Sequence, residues 1–201
     1  MKREKIRARL ERELLLKVPD SVDGEKHLYT WLKNGKRAEC RIHTFYAYDI
    51  LEMSIMDDVT EDVLFWLHFE VRQKEDTELF MATFFDYLNR ELADEEACLP
   101  VSETRQNVLL CCTGGLTTNL FAELMNETIE AEGLPLSVRA VGVDKVAEIA
   151  ADYDRVLLAP QVCYRYTALK KQFGAKIHRL STMDFATLNV RQVIRDVLIS
   201  A

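Results

Sequence analysis

The C-terminal half of this chain is predicted to be an α/β domain with a small, four-stranded, open parallel sheet and flanking helices. A mainly helical domain is predicted to precede it. Two observations lead to this fold class. After about residue 107, short apolar runs alternate with helical patterns four times, and before about residue 100 the apolar residues recur mostly at helical spacing. A Pro-containing polar stretch at 99–106 reads as a linker, so the predicted domains are 1–100 and 107–201.

In the first domain, residues 2–17 carry apolar side chains four positions apart between charges, which predicts a helix. A second helix is predicted from about Glu25 to Lys33, ending at Asn34-Gly35, and residues 38–48 fit either a strand or a helix. Residues 49–96 are predicted to be helical, with Thr60 as an N-cap. The spacings that suggest this are Leu64, Leu67 and Val71, and then Phe80, Phe84 and Leu88.

In the second domain, Asn107–Cys111 is a continuous apolar run, as is typical of a buried parallel strand. Short apolar runs and amphipathic stretches then follow each other to the end of the chain, which predicts right-handed crossovers between neighbouring strands. The further strands are predicted at 136–141, 155–159 and 175–179, and the helices at 117–131, 145–151, 164–173 and 189–199.

Charge is unevenly distributed along the chain. Residues 1–41 have a net charge of +5, residues 42–106 of −12 and residues 107–201 of 0, which together make the −7 of the chain. The acidic middle argues against a nucleic-acid surface there. The chain opens with a charged amphipathic segment and no run is long enough to cross a bilayer, so a cytoplasmic protein is expected.

The five cysteines, Cys40, Cys98, Cys111, Cys112 and Cys163, indicate neither a disulfide framework nor a zinc site. Their number is odd, and they have no CxxC or Cys/His spacing that would suit a metal. We therefore expect no metal. Strand alternation turns Cys111 away from Cys112 and into the core, and packing is also the favoured role of Cys163.

The segment from Cys112 to Asn119 joins the first predicted strand to its helix, at the strand end where open α/β sheets place their sites. Gly114 and Gly115 allow backbone amides to approach an anion, and the helix N-terminus favours negative charge. A cysteine beside such amides is expected to have a stabilised thiolate. The residue types therefore suggest a phosphocysteine loop, and the alternative is a glycine-containing turn with a buried cysteine.

Two blocks resemble the lactose/cellobiose-type enzyme IIB of the bacterial phosphotransferase system. Cys112-x-x-Gly115-x-Thr117-Thr118 resembles the family's C-x-x-G-x-S/T-S/T loop, and the segment 155–164, RVLLAPQVCY, resembles its V-V-L-L-G-P-Q-I-x-Y block. The resemblance covers about residues 107–199. This chain differs from the family pattern in having Gly114, Leu116, Asn119 and Ala159 where Ala, Met, Ser and Gly are usual.

The resemblance implies a phosphoryl carrier, a protein-phosphocysteine–sugar phosphotransferase. Cys112 would take the phosphoryl group from a phosphohistidine on a IIA protein and pass it to a sugar on a membrane IIC permease. It implies no cofactor beyond the transient phosphocysteine, and a cytoplasmic location at the permease. A homo-oligomer through the helical half is left open. The implied phosphate-binding loop is Thr113, Gly114, Gly115, Leu116, Thr117 and Thr118, and the implied second-loop neighbours are Pro160, Gln161 and Tyr164.

Two other functions compete with this one. A regulatory protein, in which a IIB-like domain reports phosphorylation and the helical half binds a partner, would explain the additional N-terminal residues. A thiol phosphatase would need an arginine to close the loop, and residues 113–119 contain none. His43 and His68 raise the idea of a phosphohistidine site, but a structural role is favoured for both, as it is for His178.

Overall fold

The computed structural model describes residues 21–23, 26–45, 48–91, 98–100, 103–113 and 116–200. The chain divides into two compact units, Met1–Leu92 and Ala93–Ala201. The boundary between the units, after Leu92, precedes the linker expected at 99–106. The domain limits 1–100 and 107–201 remain a prediction. The helix predicted at 2–17 lies outside the described residues.

The first unit is mostly an antiparallel sheet, so the prediction of a mainly helical domain was wrong. Its five strands are neighbours in chain order, β1-β2-β3-β4-β5, and a single helix follows them in the described part of this unit. The elements are β1 (Ser21–Asp23), β2 (Lys26–Lys33), β3 (Lys36–Phe45), β4 (Tyr48–Asp57), β5 (Val63–Glu70) and α1 (Lys74–Asn89).

Alternating burial explains why these segments are strands. In β5 the side chains of Phe65, Leu67 and Phe69 are at most 3% exposed, whereas the residues between them are half-buried or exposed. A period of two residues therefore describes β5 better than the helical spacing read from Leu64, Leu67 and Val71. The buried face packs on α1 through aromatic contacts, such as Phe69 against Phe80 with ring centroids 4.5 Å apart.

The helix predicted from about Glu25 to Lys33 and the first part of the helix predicted at 49–96 are strands, and the turns explain this difference. The later part of 49–96 is helical as predicted, since Phe80, Phe84 and Leu88 are buried on α1. Asn34 and Gly35 have φ angles of 53° and 68°, which a tight hairpin turn requires, and they join β2 to β3 where a helix end was predicted. Thr60 is not a helix N-cap, because it lies in the turn between β4 and β5. Its backbone N–H donates to the Asp57 carboxylate at 2.8 Å.

Lys36 joins the sheet of the first unit to α1. Its side chain is buried, and its Nζ donates to the carbonyl oxygens of Tyr87 and Arg90 at 2.9 and 2.6 Å. The ammonium group thus satisfies carbonyls at the C-terminal end of α1, where the helix dipole favours a positive charge. Burial lowers the pKa of Lys36.

The second unit confirms the predicted four-stranded parallel sheet with flanking helices. Its strand order is β7-β6-β8-β9, and all neighbouring strands are parallel. The elements are β6 (Gln106–Cys112), α2 (Leu116–Ala131), β7 (Leu136–Gly142), α3 (Val146–Ile149), β8 (Arg155–Leu158), α4 (Tyr166–Phe173), β9 (Ile177–Arg179), α5 (Thr182–Ala186) and α6 (Val190–Ile199). Short 3-10 helices flank α3 and α4, and the sequence reading missed α5.

The sheet of the second unit is covered by packed side chains. All residues of β6 except Asn107 are buried, and so are the four residues of β8. Helices α2 and α6 contact each other, and Phe121 of α2 stacks on Phe185 with ring centroids 5.3 Å apart. This core fixes the central strands β6 and β8, whose carboxyl ends carry the predicted site residues.

The edge strand β7 is bound by a side chain from α2. Asn126 donates from Nδ2 to the carbonyl oxygen of Val138 at 2.8 Å and accepts from the Val138 N–H at 3.0 Å. Both backbone groups of Val138 that point away from β6 are therefore hydrogen-bonded within the unit. No helix in the described part of the chain is long and apolar enough to cross a membrane.

Candidate phosphocysteine site

The sheet topology marks the point where a ligand is expected. From β6 the chain passes to β7 on one side, and it then returns to β8 on the other side of β6. Crevices form outside the carboxyl ends of strands where the order reverses in this way. The end of β6 and the neighbouring end of β8 are therefore the expected site.

Cys112 is the last residue of β6 and lies at this point. It is paired with Gly142 at the end of β7, and its side chain is 3% exposed. On the other side, Leu158 is paired with Cys111, and the Ala159 N–H donates to the Cys111 carbonyl oxygen at 2.8 Å. Ala159 thus lies beside Cys112, and the two strand ends are held in register by backbone hydrogen bonds.

The loop after Cys112 leads directly into the N-terminus of α2. Thr113 is exposed, and Thr118, in the first turn of the helix, is 2% exposed. Gly114 and Gly115 lie outside the described residues, and Leu116 and Thr117 are the first two residues of α2. This 16-residue helix has no acidic residue in its first turn, so no carboxylate opposes the positive end of the helix dipole.

Cys111 and Cys112 differ in their environment although they are neighbours in sequence. Cys111 is fully buried, and its Sγ lies 4.0 Å from the Leu109 carbonyl oxygen. Burial, and secondarily the nearby Cys112, raises the pKa of the Cys111 thiol to about 12. A thiol with such a pKa is a poor nucleophile at neutral pH, so Cys111 is a core residue, in agreement with the prediction.

The second predicted loop lies at the end of β8, beside Cys112. It is a 3-10 helix, Pro160–Arg165, in which Pro160, Val162 and Cys163 are buried. The Oε1 atom of Gln161 is buried and has no hydrogen-bond partner in the structure. Buried polar atoms are normally paired, so this oxygen is suited to accept a hydrogen bond from an incoming group.

Tyr164 is the last of the predicted second-loop residues, and its side chain is half-buried. The guanidinium group of Arg165 lies over its ring, 5.7 Å from the centroid. Strand pairing thus places Cys112 and the loop that contains Pro160, Gln161 and Tyr164 at the carboxyl ends of the two central strands.

Two residues near these strand ends were missed by the sequence analysis. Asp144 lies just after β7, and Arg165 is the last residue of the 3-10 helix after β8. Their charged groups are 3.7 Å apart. Both line a cavity of about 270 Å³ with residues of α4. Asp144 could have been found by considering the carboxyl end of β7 as well as those of β6 and β8, and Arg165 directly follows the predicted block 155–164.

None of the three histidines considered in the sequence analysis lies in the loops after β6 and β8. His43 and His68 belong to the first unit, where His43 Nε2 is 3.7 Å from a Glu52 carboxylate oxygen. His178 lies in β9. Among the described residues, no group of three or more His, Cys, Asp or Glu side chains is arranged to hold a metal ion.

Comparison with known proteins shows which family the second unit is similar to. Residues 107–196 match the family described as PTS system, lactose/cellobiose-specific IIB subunit. The resemblance seen in the sequence is thereby confirmed over this part of the chain. The second unit is thus similar to a domain of the sugar phosphotransferase system, and residues 1–106 lie outside the match.

Individual relatives point to the same class. Over 85 residues the chain is 32% identical to a lactose-specific EIICB component of Staphylococcus haemolyticus, and over 100 residues it is 28% identical to one from Staphylococcus aureus. These matches cover 41% and 48% of this chain, but only 15% and 18% of those longer proteins.

Two solved structures are also similar to part of the chain. One is the lactose-specific IIB component domain from Streptococcus pneumoniae, at 23% identity and a TM-score of 0.43, which covers 48% of this chain and 97% of that one. The other is the cellobiose-specific IIB component from Borrelia burgdorferi, at 24% identity and a TM-score of 0.41, which covers 49% and 93%.

Proposed function

We propose that this protein carries a phosphoryl group on Cys112 within a sugar phosphotransferase system. The observation that carries the proposal is that the stretch 107–196, which matches the IIB family, has Cys112 at the end of β6, beside the N-terminus of α2. The family implies a phosphotransferase role, and the site offers a nucleophile together with backbone donors for an anion.

The proposed reaction has two balanced steps. The Cys112 thiolate attacks the phosphorus of a phosphohistidine on a IIA protein, so a P–S bond forms as the P–N bond breaks and the imidazole leaves. A sugar hydroxyl held by a IIC permease then attacks the phosphocysteine, so a P–O bond forms, the thiolate leaves and the hydroxyl proton is released. Both steps develop negative charge on the phosphoryl oxygens, which the backbone N–H groups at the N-terminus of α2 stabilise without a metal.

The second loop has an auxiliary role in this proposal. Pro160 fixes the start of the 3-10 helix, and the unpaired Gln161 Oε1 accepts a hydrogen bond from the incoming imidazole or hydroxyl. Tyr164 forms the wall of the site beside it. The lactose-specific EIICB relatives support a permease partner, and therefore a place of action at the cytoplasmic face of the membrane.

The test is phosphorylation with purified components. Full-length protein is incubated with phosphoenolpyruvate, the general phosphotransfer proteins and a IIA protein of the lactose/cellobiose type, and its mass and peptides are then determined. We expect one added phosphoryl group on the Cys112 peptide, kept in Cys111→Ser and lost in Cys112→Ala. Failure of several such IIA proteins to label a folded wild-type chain would contradict the proposal.

A regulatory role is the second candidate, and one observation favours it. Residues 1–92 form a compact unit of their own that lies outside the family match. In this case Cys112 would still be phosphorylated, but no sugar would accept the phosphoryl group. Adding IIC-containing membranes and lactose or cellobiose to the phosphorylated protein separates the two, since only a carrier loses its label to the sugar.

A further inference from the structure

A second cysteine lies next to the proposed phosphoryl acceptor. Cys163 belongs to the 3-10 helix that follows β8, and its Sγ lies 3.6 Å from the carbonyl oxygen of Ala159 and 3.8 Å from that of Leu158. The sulfur therefore turns back from the helix over the end of β8. The proposed function gives this thiol no role.

Strand pairing relates this position to Cys112. The Ala159 N–H donates to the Cys111 carbonyl oxygen, so Ala159 is the β8 residue beside Cys112. Adjacent strands lie about 4.8 Å apart. The Cys163 sulfur is in contact with this residue, so the two thiols lie at the same end of two neighbouring strands.

This arrangement suits a disulfide. A disulfide needs Cα atoms about 4.4–6.8 Å apart, and the Cys163 sulfur approaches Cys112 by contacting Ala159, the residue beside it. Cys163 lies in a 3-10 segment, whose hydrogen-bond geometry is less favourable than that of an α-helix. Cys112 and Cys163 are both present as thiols, 3% and 9% exposed, and hydrogen peroxide is small enough to reach such partly covered sulfur atoms.

The other described cysteines are poorly placed for this reaction. Cys111 points into the core, and burial keeps its thiol protonated. Cys98 is exposed and lies in the stretch that precedes β6 in the chain. Cys40 is fully buried in the sheet of the first unit.

From this geometry we propose that Cys163 is the resolving thiol of a reversible oxidation site at Cys112. The proposed function is needed only for the effect of this oxidation on phosphoryl transfer. A hydroperoxide oxidises the Cys112 thiolate to a sulfenic acid and is reduced to water or an alcohol. The Cys163 thiol then attacks the sulfenic sulfur, a disulfide forms and water leaves. Two electrons pass from the two sulfurs to the peroxide, and a dithiol reverses the reaction. While the disulfide is present, Cys112 cannot accept a phosphoryl group.

The inference is tested in full-length protein carrying Cys98→Ser, which removes the exposed thiol. The protein is treated with hydrogen peroxide and then analysed by intact mass and by peptide mapping without reduction. We expect the loss of two hydrogens and a peptide pair that joins Cys112 to Cys163. Phosphoryl acceptance should fall by more than about tenfold and return with dithiothreitol, because sulfur in a disulfide is no longer a nucleophile.

Matched variants make the test specific. Cys163→Ser and Cys163→Ala should keep phosphoryl acceptance before oxidation, but after peroxide they should yield sulfinic or sulfonic acid at Cys112, which dithiothreitol does not reverse. Cys111→Ser should behave like its parent. A disulfide between Cys111 and Cys112, or no intramolecular disulfide in a folded chain, would overturn the inference.

The outcomes also separate this inference from the proposed function. A Cys112–Cys163 disulfide in a protein that never accepts a phosphoryl group would support the oxidation site and contradict the carrier. Phosphoryl acceptance that survives peroxide unchanged would support the carrier and contradict the oxidation site.

Discussion

Position on one strand separates the roles of two neighbouring thiols. Cys111 and Cys112 are adjacent in sequence, but Cys111 is enclosed by the core, whereas Cys112 is the residue at which β6 ends and the loop begins. The sequence was sufficient to predict this difference, because strand alternation and the strand end follow from the apolar run 107–111. The place of the Cys163 sulfur could not be predicted, because it depends on the 3-10 path after β8.

His178 gives a prediction at the residue scale. Burial, followed by the positive charges of Arg155 and Lys170, lowers the pKa of this imidazole below its ordinary 6.5. The folded state therefore binds a proton less readily than the unfolded state. Above pH 6.5 the imidazole is neutral in both states and does not oppose folding. As the pH falls below 6.5 the unfolded state takes up the proton first, so the free energy of unfolding decreases.

We expect His178→Gln to lessen the loss of stability of the second unit between about pH 7.5 and 5.5. Thermal unfolding followed by circular dichroism at the two pH values measures this change. Tryptophan fluorescence is the internal control, because both tryptophans, Trp31 and Trp66, belong to the first unit. An equal pH dependence of wild type and variant would contradict the assigned shift.

At the scale of elements, the parallel sheet was predictable and the antiparallel sheet was not. Strands buried on both faces, such as β6 and β8, appear as continuous apolar runs that fit no helix. Strands covered on one face, such as β5, also carry apolar residues on the other face. Apolar residues of the two faces then fall at helical spacing by chance, as Leu64, Leu67 and Val71 do. The Asn34-Gly35 pair was the local signal of a hairpin, and it was read as a helix end.

Lys36 gives a prediction at this scale. Lys36→Met keeps the apolar stem but removes the ammonium group that caps the carbonyls of Tyr87 and Arg90. We expect the first unit to lose about 1.5–3 kcal/mol of stability, the usual value of hydrogen bonds to a charged group. Urea unfolding followed by tryptophan fluorescence measures it.

Lys74→Met is the matched control for this change, because Lys74 is exposed at the other end of the same helix. Its substitution should alter the unfolding midpoint little. A Lys36→Met protein with the midpoint of the control would show that the two hydrogen bonds do not contribute to stability.

At the scale of the whole molecule, each unit has its own sheet and its own helix contacts. The core of the second unit, including Phe121 on Phe185, is formed within residues 103–200. All residues proposed for phosphoryl transfer also belong to this stretch. The fold of this unit followed from the pattern of the sequence, whereas the role of residues 1–92 did not, because no chemistry-bearing motif stands in them.

We therefore expect a fragment of residues 103–201 to fold and to accept a phosphoryl group at Cys112 as the full chain does, because it contains the complete parallel sheet. Circular dichroism establishes folding, and labelling with the same IIA protein measures acceptance. A folded fragment that is no longer labelled would assign the first unit a part in the transfer. Matched rates would leave that unit to another task.

The hydrogen bonds of Asn126 to Val138 have a consequence for association between molecules. An unprotected edge strand is a template on which a further strand of another chain can add. At β7 the outward N–H and C=O of Val138 are already occupied by the side-chain amide, and an approaching strand would have to displace it. The Asn126 amide thus opposes the addition of a further strand at β7. Copies of this unit are therefore not expected to associate by sheet extension along this edge.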